Sequence, residues 1–105
     1  MPAANASECA SEQGKFWEMH DKLFANQTNL SAANYSAWAK ELGLDTAKFD
    51  ACLSSNKYQA RISADQQLGS QSGVDGTPAT FVNGELVSGA VPYANFKQLI
   101  DAALK

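Results

Sequence analysis

Ligands for a metal ion are scarce in this chain. Its 105 residues include one histidine, His20, and two cysteines, Cys9 and Cys52, which stand more than a third of the chain apart. No zinc site of Cys and His ligands is expected, and there is no CxxC redox pair. Basic residues are few and scattered, eight Lys+Arg against eleven Asp+Glu for a net charge of -3. A nucleic-acid partner is not expected without a basic footprint. No apolar run approaches the roughly 18 residues of a membrane span, and MPAANASEC has neither the basic start nor the apolar run of a signal peptide. With seven glycines and three prolines there is also no linker, low-complexity tract or repeat.

What is present is the make-up of one soluble globular domain, 45% hydrophobic and 18% charged. A chain of this size can bury one core with little margin.

Helical periodicity fills the first two thirds. Ala6, Cys9, Ala10 and Gln13 recur at 3/4 spacing in an Ala-rich helix from Ala3 to about Gln13, and Gly14 breaks it. Phe16, Met19, His20, Leu23 and Phe24 mark a second, amphipathic helix that stops at Asn26–Asn29. Ser31 is an N-cap for a helix with Tyr35, Trp38, Ala39 and Leu42 on one face, and Gly43 ends it. Asp45 caps the next, where Leu44 can staple against Phe49 and Phe49, Cys52 and Leu53 form the inward stripe. A fifth helix, about Tyr58 to Ser70, has a thin inner face of Tyr58, Ile62, Asp65 and Leu68 or Gly69 and is expected to lie largely exposed.

The pattern changes at Gly73. Ala79–Val82 and Glu85–Ser88 read as strands around Asn83-Gly84, the pair that favours a type I′ hairpin turn. Pro92 suits the first turn of a last helix with Tyr93, Phe96, Leu99, Ile100 and Ala103 on its core face. A lone hairpin is marginal in water, yet no other segment reads as a partner strand for Phe81, Val82 and Val87.

Read residue by residue, little points to chemistry. Cys9 and Cys52 are either free buried thiols of a cytosolic protein or one structural disulfide of an exported one. Both fall on inward helix faces, where apolar surroundings raise a thiol pKa and block access, so neither reads as catalytic. His20 reads as a boundary or surface histidine, Trp17, Trp38, Tyr35 and Tyr58 as core or boundary aromatics, and Glu8, Glu12, Glu18, Asp21 and Glu41 as solvated helix surface. Pro78, between a Gly-rich loop and a strand, can simply start an edge strand with a trans bond.

Taken together, ASECASEQGKFWEMHDKLF (Ala6–Phe24), LGLDTAKFDACL (Leu42–Leu53), GVDGTPATFVNGELVSGA (Gly73–Ala90) and YANFKQLIDAAL (Tyr93–Leu104) resemble the DsbA-like thiol-disulfide oxidoreductases of the thioredoxin superfamily. The resemblance covers almost the whole chain. It implies an α/β fold of thioredoxin type, α+β in the part present: the helical insertion at residues 3–72, then the cis-proline loop, C-terminal hairpin and last helix at 73–105. It further implies a cis bond at Thr77-Pro78 and a substrate-binding strip at Gly76, Thr77 and Pro78, where an extended polypeptide is held. Cys9 and Cys52 match the structural disulfide of some exported members, a pairing that requires Cα atoms about 4.4–6.8 Å apart.

The family's first strand, its CxxC and the following strand have no counterpart here, so residues 1–105 are expected to form one incomplete domain. No catalytic residue, metal or cofactor is assigned to the chain, which is expected to be inactive alone. The intact relative is expected to exchange disulfides with cysteine-containing exported proteins outside the cytoplasm. Whether it oxidises, reduces or isomerises depends on the absent CxxC. A rival expectation is a non-catalytic binding or assembly module, pairing through the hairpin edge with a second copy or with an N-terminal CxxC segment. A stable helical subdomain without activity is the third.

Overall fold

The computed structural model describes residues 2–105. The chain forms two compact units, Met1–Ala64 and Asp65–Lys105. The first holds α1 (Pro2–Ser11), α2 (Phe16–Ala25), α3 (Ala32–Glu41) and α4 (Thr46–Ser54); α5 (Gln59–Gln71) begins in it and continues into the second. The second adds β1 (Ala79–Val82), β2 (Glu85–Ser88) and α6 (Tyr93–Ala103).

In the first unit α1 packs against α2, α3 and α4, and α3 against α2 and α4. Small side chains make α1 a suitable centre: Ala6, Cys9 and Ala10 are fully buried, which lets three neighbours approach its backbone. Met19 and Leu23 of α2, Tyr35, Trp38 and Ala39 of α3, and Leu44, Phe49 and Cys52 around α4 complete the core. Phe49 is fully buried, which contributes about 1.5–3 kcal/mol of transfer free energy.

The connections around α3 and α4 are tight because these helix ends satisfy their own backbone. Ser31 Oγ accepts the Asn34 N–H at 3.3 Å, and Asp45 Oδ1 accepts the Lys48 N–H at 3.2 Å. At the end of α3 the Gly43 N–H donates to Lys40 and the Leu44 N–H to Ala39, a Schellman closure around Gly43 at φ 77°. Asn56 takes the same role after α4 at φ 50°, with its own N–H on Leu53 and that of Lys57 on Cys52.

In the second unit β1 and β2 pair antiparallel with Val82 opposite Glu85 and Ala79 opposite Ser88. Asn83 and Gly84, at φ 52° and 83°, form the turn, as a type I′ geometry requires. Helix α6 packs on β1.

Two faces differ from the periodic reading. No residue of α6 is buried, and Tyr93 (77% exposed), Ile100 and Ala103 lie open where a core face was expected. A two-stranded sheet is too small to cover the full stripe of a helix. Helix α5 has no buried residue, which agrees with its thin apolar face. In α2 only Met19 and Leu23 are buried, while Trp17 and Phe24 are about two-thirds exposed (66% and 63%).

Candidate functional site

Two places gather the residues singled out by sequence, one in each unit. In the second unit, Gly73 at φ 95° closes α5 and turns the chain into the loop that leads to β1. The Thr77-Pro78 bond is cis. Gly76, Thr77 and Pro78 are all exposed.

The hairpin register settles which backbone groups the loop leaves open. A two-residue turn makes Val82 and Glu85 a hydrogen-bonded pair, and alternation makes Thr80 and Val87 the next. The Pro78 carbonyl continues this side by accepting the Gly89 N–H at 2.8 Å. Ala79 and Phe81 therefore turn their N–H and C=O groups to the other side, the outer edge of β1, and Thr77 lies just before this strand across the cis bond. Among the described residues no strand pairs with that edge, and the Thr77 backbone makes no hydrogen bond.

In the first unit, Cys9 of α1 and Cys52 of α4 are joined by a disulfide with Cα atoms 5.8 Å apart. Cys9 has no exposed surface and Cys52 has 6%. With both sulfurs in this bond there is no free thiol to act as a nucleophile.

Around the bridge lie polar contacts that no spacing rule indicates. Asn5, 3% exposed, donates from Nδ2 to the Leu53 carbonyl at 3.4 Å and accepts the Tyr58 N–H at Oδ1 at 3.3 Å. Glu12 accepts from both Lys57 Nζ and the Tyr58 hydroxyl, the latter at 2.8 Å. The hydrogen bond from Lys57, then that from Tyr58, holds the Glu12 carboxyl below the usual carboxylate range. The same bonds raise Lys57 and Tyr58 above their ordinary values. Glu12 and Tyr58, read from sequence as solvated surface and boundary aromatic, are thus joined across 46 positions. No local pattern could have announced it.

His20 keeps a surface role. Its ring lies between Trp17 and Phe24, with centroids 5.2 and 4.5 Å away, and Nδ1 is 3.2 Å from Asp21. Among the described residues no three His, Cys, Asp or Glu side chains are grouped to hold a metal.

The sequence profile of the DSBA-like thioredoxin domain matches residues 2–101. The chain belongs to this family. Its DSBA-like character covers both units, including the cis-proline loop and the cysteine-bridged helices. Similar curated proteins include the Na(+)/H(+) antiporter NhaA 3 of Salinispora tropica, 45% identical over 78% of this chain and 13% of that protein. The Na(+)/H(+) antiporter NhaA of Herminiimonas arsenicoxydans is 35% identical over 96% of this chain and 16% of that protein. A Mycolicibacterium gilvum relative, Na(+)/H(+) antiporter NhaA 1, is 34% identical over 95% of this chain and 16% of its own length. The DSBA-like chain thus spans only about one sixth or less of the proteins it matches. None of its described helices is long and apolar enough to cross a membrane. No solved structure matches it.

Proposed function

We propose that this chain is the substrate-holding part of a DsbA-like thiol–disulfide exchange domain, with Gly76, Thr77 and Pro78 as the strip that receives an extended polypeptide. The observation that carries the reading is the exposed, unpaired Thr77 backbone at the head of an open strand edge. An extended peptide adds to such an edge by main-chain hydrogen bonds, which suits a domain acting on many cysteine-containing proteins. The reactive CxxC is assigned to sequence outside these 105 residues. The two-stranded sheet supports this, since a sheet of three or more strands is what independent stability needs. In this reading the whole protein works outside the cytoplasm, where cysteines are oxidised.

The antiporter relatives fit as larger proteins that contain a domain of this kind. Antiport itself is not assigned to the chain, which matches a small share of them and offers no membrane-crossing helix among its described residues.

Titration with a cysteine-free extended peptide, followed by amide NMR, tests the reading. Shifts centred on Gly76–Thr80 are expected, together with slowed exchange of the Thr77 N–H. Shifts confined to the helical unit would overturn it. In an insulin-reduction assay the chain is expected to add nothing to the rate with dithiothreitol alone, and acceleration would refute the placement of the reactive site elsewhere.

A second reading rests on the same open edge, which also exposes Phe81 (46%): self-pairing of hairpins between two copies. Light scattering after size exclusion separates the two, since a monomer at all concentrations rules out self-pairing.

A further inference from the structure

We infer that the Cys9–Cys52 disulfide is itself a thiol-exchange site, opened from the Cys52 side by small thiols that carry negative charge. The bridge is one-sided: Cys9 is sealed in the core, whereas Cys52 lines an open hollow of about 530 Å³ together with Glu12, Lys48, Ala51, Ser55 and Lys57. Cys9 has no surface for a nucleophile to reach, so attack from solvent falls on the Cys52 side of the bridge, and access decides which sulfur of a disulfide is attacked.

The hollow also selects by charge. Lys57 is neutralised by Glu12, but Lys48 has no ion-pair partner among the described residues, which leaves one positive charge at the rim. A carboxylate-bearing thiol is drawn to it and a cationic thiol is repelled.

The exchange balances in two steps. The thiolate of the small thiol attacks Cys52 Sγ; a new S–S bond forms, the Cys9–Cys52 bond breaks, and its electron pair leaves on Cys9 Sγ, which takes a proton from solvent. A second thiolate then attacks the sulfur of the first small thiol, releasing their symmetrical disulfide and leaving Cys52 to take up a proton. The small thiols are oxidised and the protein is reduced. Asn5 is placed for the product: its Oδ1 lies 3.9 Å from Cys9 Sγ, where a thiol S–H can donate to it. The Asn5 bonds to Leu53 and Tyr58 hold α1 against the end of α4 while the bridge is open.

The test compares glutathione, 2-mercaptoethanol and cysteamine on the oxidised chain, at equal thiolate concentration, neutral pH and low salt. Acid quenching, alkylation and peptide mass spectrometry read the adduct and the loss of disulfide. The adduct is expected on Cys52, with rates falling from glutathione to 2-mercaptoethanol to cysteamine. Lys48→Glu is expected to slow glutathione by about three- to fivefold, the size of an exposed ion-pair effect, and to speed cysteamine. Rates should be flat across urea concentrations below the unfolding transition. An adduct on Cys9, rates that ignore thiol charge, or rates that climb with urea in step with unfolding would each overturn the proposal. If no adduct accumulates, the order of rates decides it.

Discussion

Gln13 uses both ends of its side-chain amide on the backbone of Asp45: Oε1 accepts the N–H at 2.8 Å and Nε2 donates to the carbonyl at 3.1 Å. One side chain thereby fixes the C-terminal end of α1 to the residue that caps α4. Replacing it with alanine removes two exposed hydrogen bonds and loosens the cap. Gln13→Ala is expected to lower stability by about 1–2 kcal/mol, read from the shift of the urea midpoint at unchanged slope.

Asn5 is a harder case because it is itself buried, with half-buried partners. Asn5→Ala leaves the Leu53 carbonyl and the Tyr58 N–H without their side-chain partner, with an expected loss of about 2–3 kcal/mol. Asn5→Asp is expected to lose at least as much at neutral pH, since it keeps the acceptor but removes the donor and places a charge at a site 3% exposed. Acidification should recover part of that loss as the introduced carboxyl is protonated. If both variants unfold like the parent, the clamp is dispensable.

The disulfide restrains a loop with a sequence separation of 43 residues. In the chain-entropy account this corresponds to about 4 kcal/mol of stability. The double variant Cys9→Ala, Cys52→Ala is expected to unfold at a markedly lower denaturant concentration, measured by far-ultraviolet circular dichroism. A midpoint within error of the parent would show that packing of α1 on α4 suffices.

The Glu12, Lys57 and Tyr58 group makes a pH-dependent contribution whose sign follows from its shifts. Glu12 is lowered, so its contribution is present above the unfolded carboxylate pKa of about 4.3 and fades as pH falls through the folded value. Lys57 and Tyr58 are raised, so theirs is present below their unfolded values of about 10 and fades as pH rises through the folded ones. Glu12→Gln is therefore expected to lower the urea midpoint most between about pH 5 and 9. The gap from the parent should narrow on the acid side. A constant gap would assign the effect to packing.

At the hairpin, Gly84→Ala puts a side chain at φ 83° with no neighbour within 4 Å, so backbone strain alone is at issue. The expected effect is about 1 kcal/mol on the hairpin. Hydrogen exchange should show it as faster exchange of the Thr80 and Val87 amides with the helical unit unchanged.

Local rules carried much of this molecule. Ser31 and Asp45 as caps, Gly43 as a helix stop, and Asn83-Gly84 as a turn all act through contacts within a few residues, and the structure bears each of them out. The buried stripes Ala6, Cys9, Ala10 and Phe49, Cys52 were equally legible, because a helix repeats its inward face every three to four residues. The resemblance to DsbA-like proteins added the cis bond at Thr77-Pro78, which base rates alone did not favour.

Periodicity, however, names a face without naming what covers it. Tyr93, Ile100, Trp17 and Phe24 satisfy the helical spacing and still lie exposed, because burial needs a second surface that these residues do not specify. Nor could spacing join Asn5 to Tyr58, Glu12 to Lys57 or Gln13 to Asp45. Such pairs exist only once α1 lies against α4 and the turn before α5.

Scarcity and spacing were the sequence's firmest statement: two cysteines 43 positions apart exclude a CxxC within these residues, and with one histidine they argue against a zinc site, whatever the fold. Tertiary structure alone decided that the two cysteines meet at 5.8 Å between Cα atoms and that only one of them borders solvent. The reason is physical. Composition limits which reactions the chain can perform, but reach, burial and partner are set by how distant helices pack.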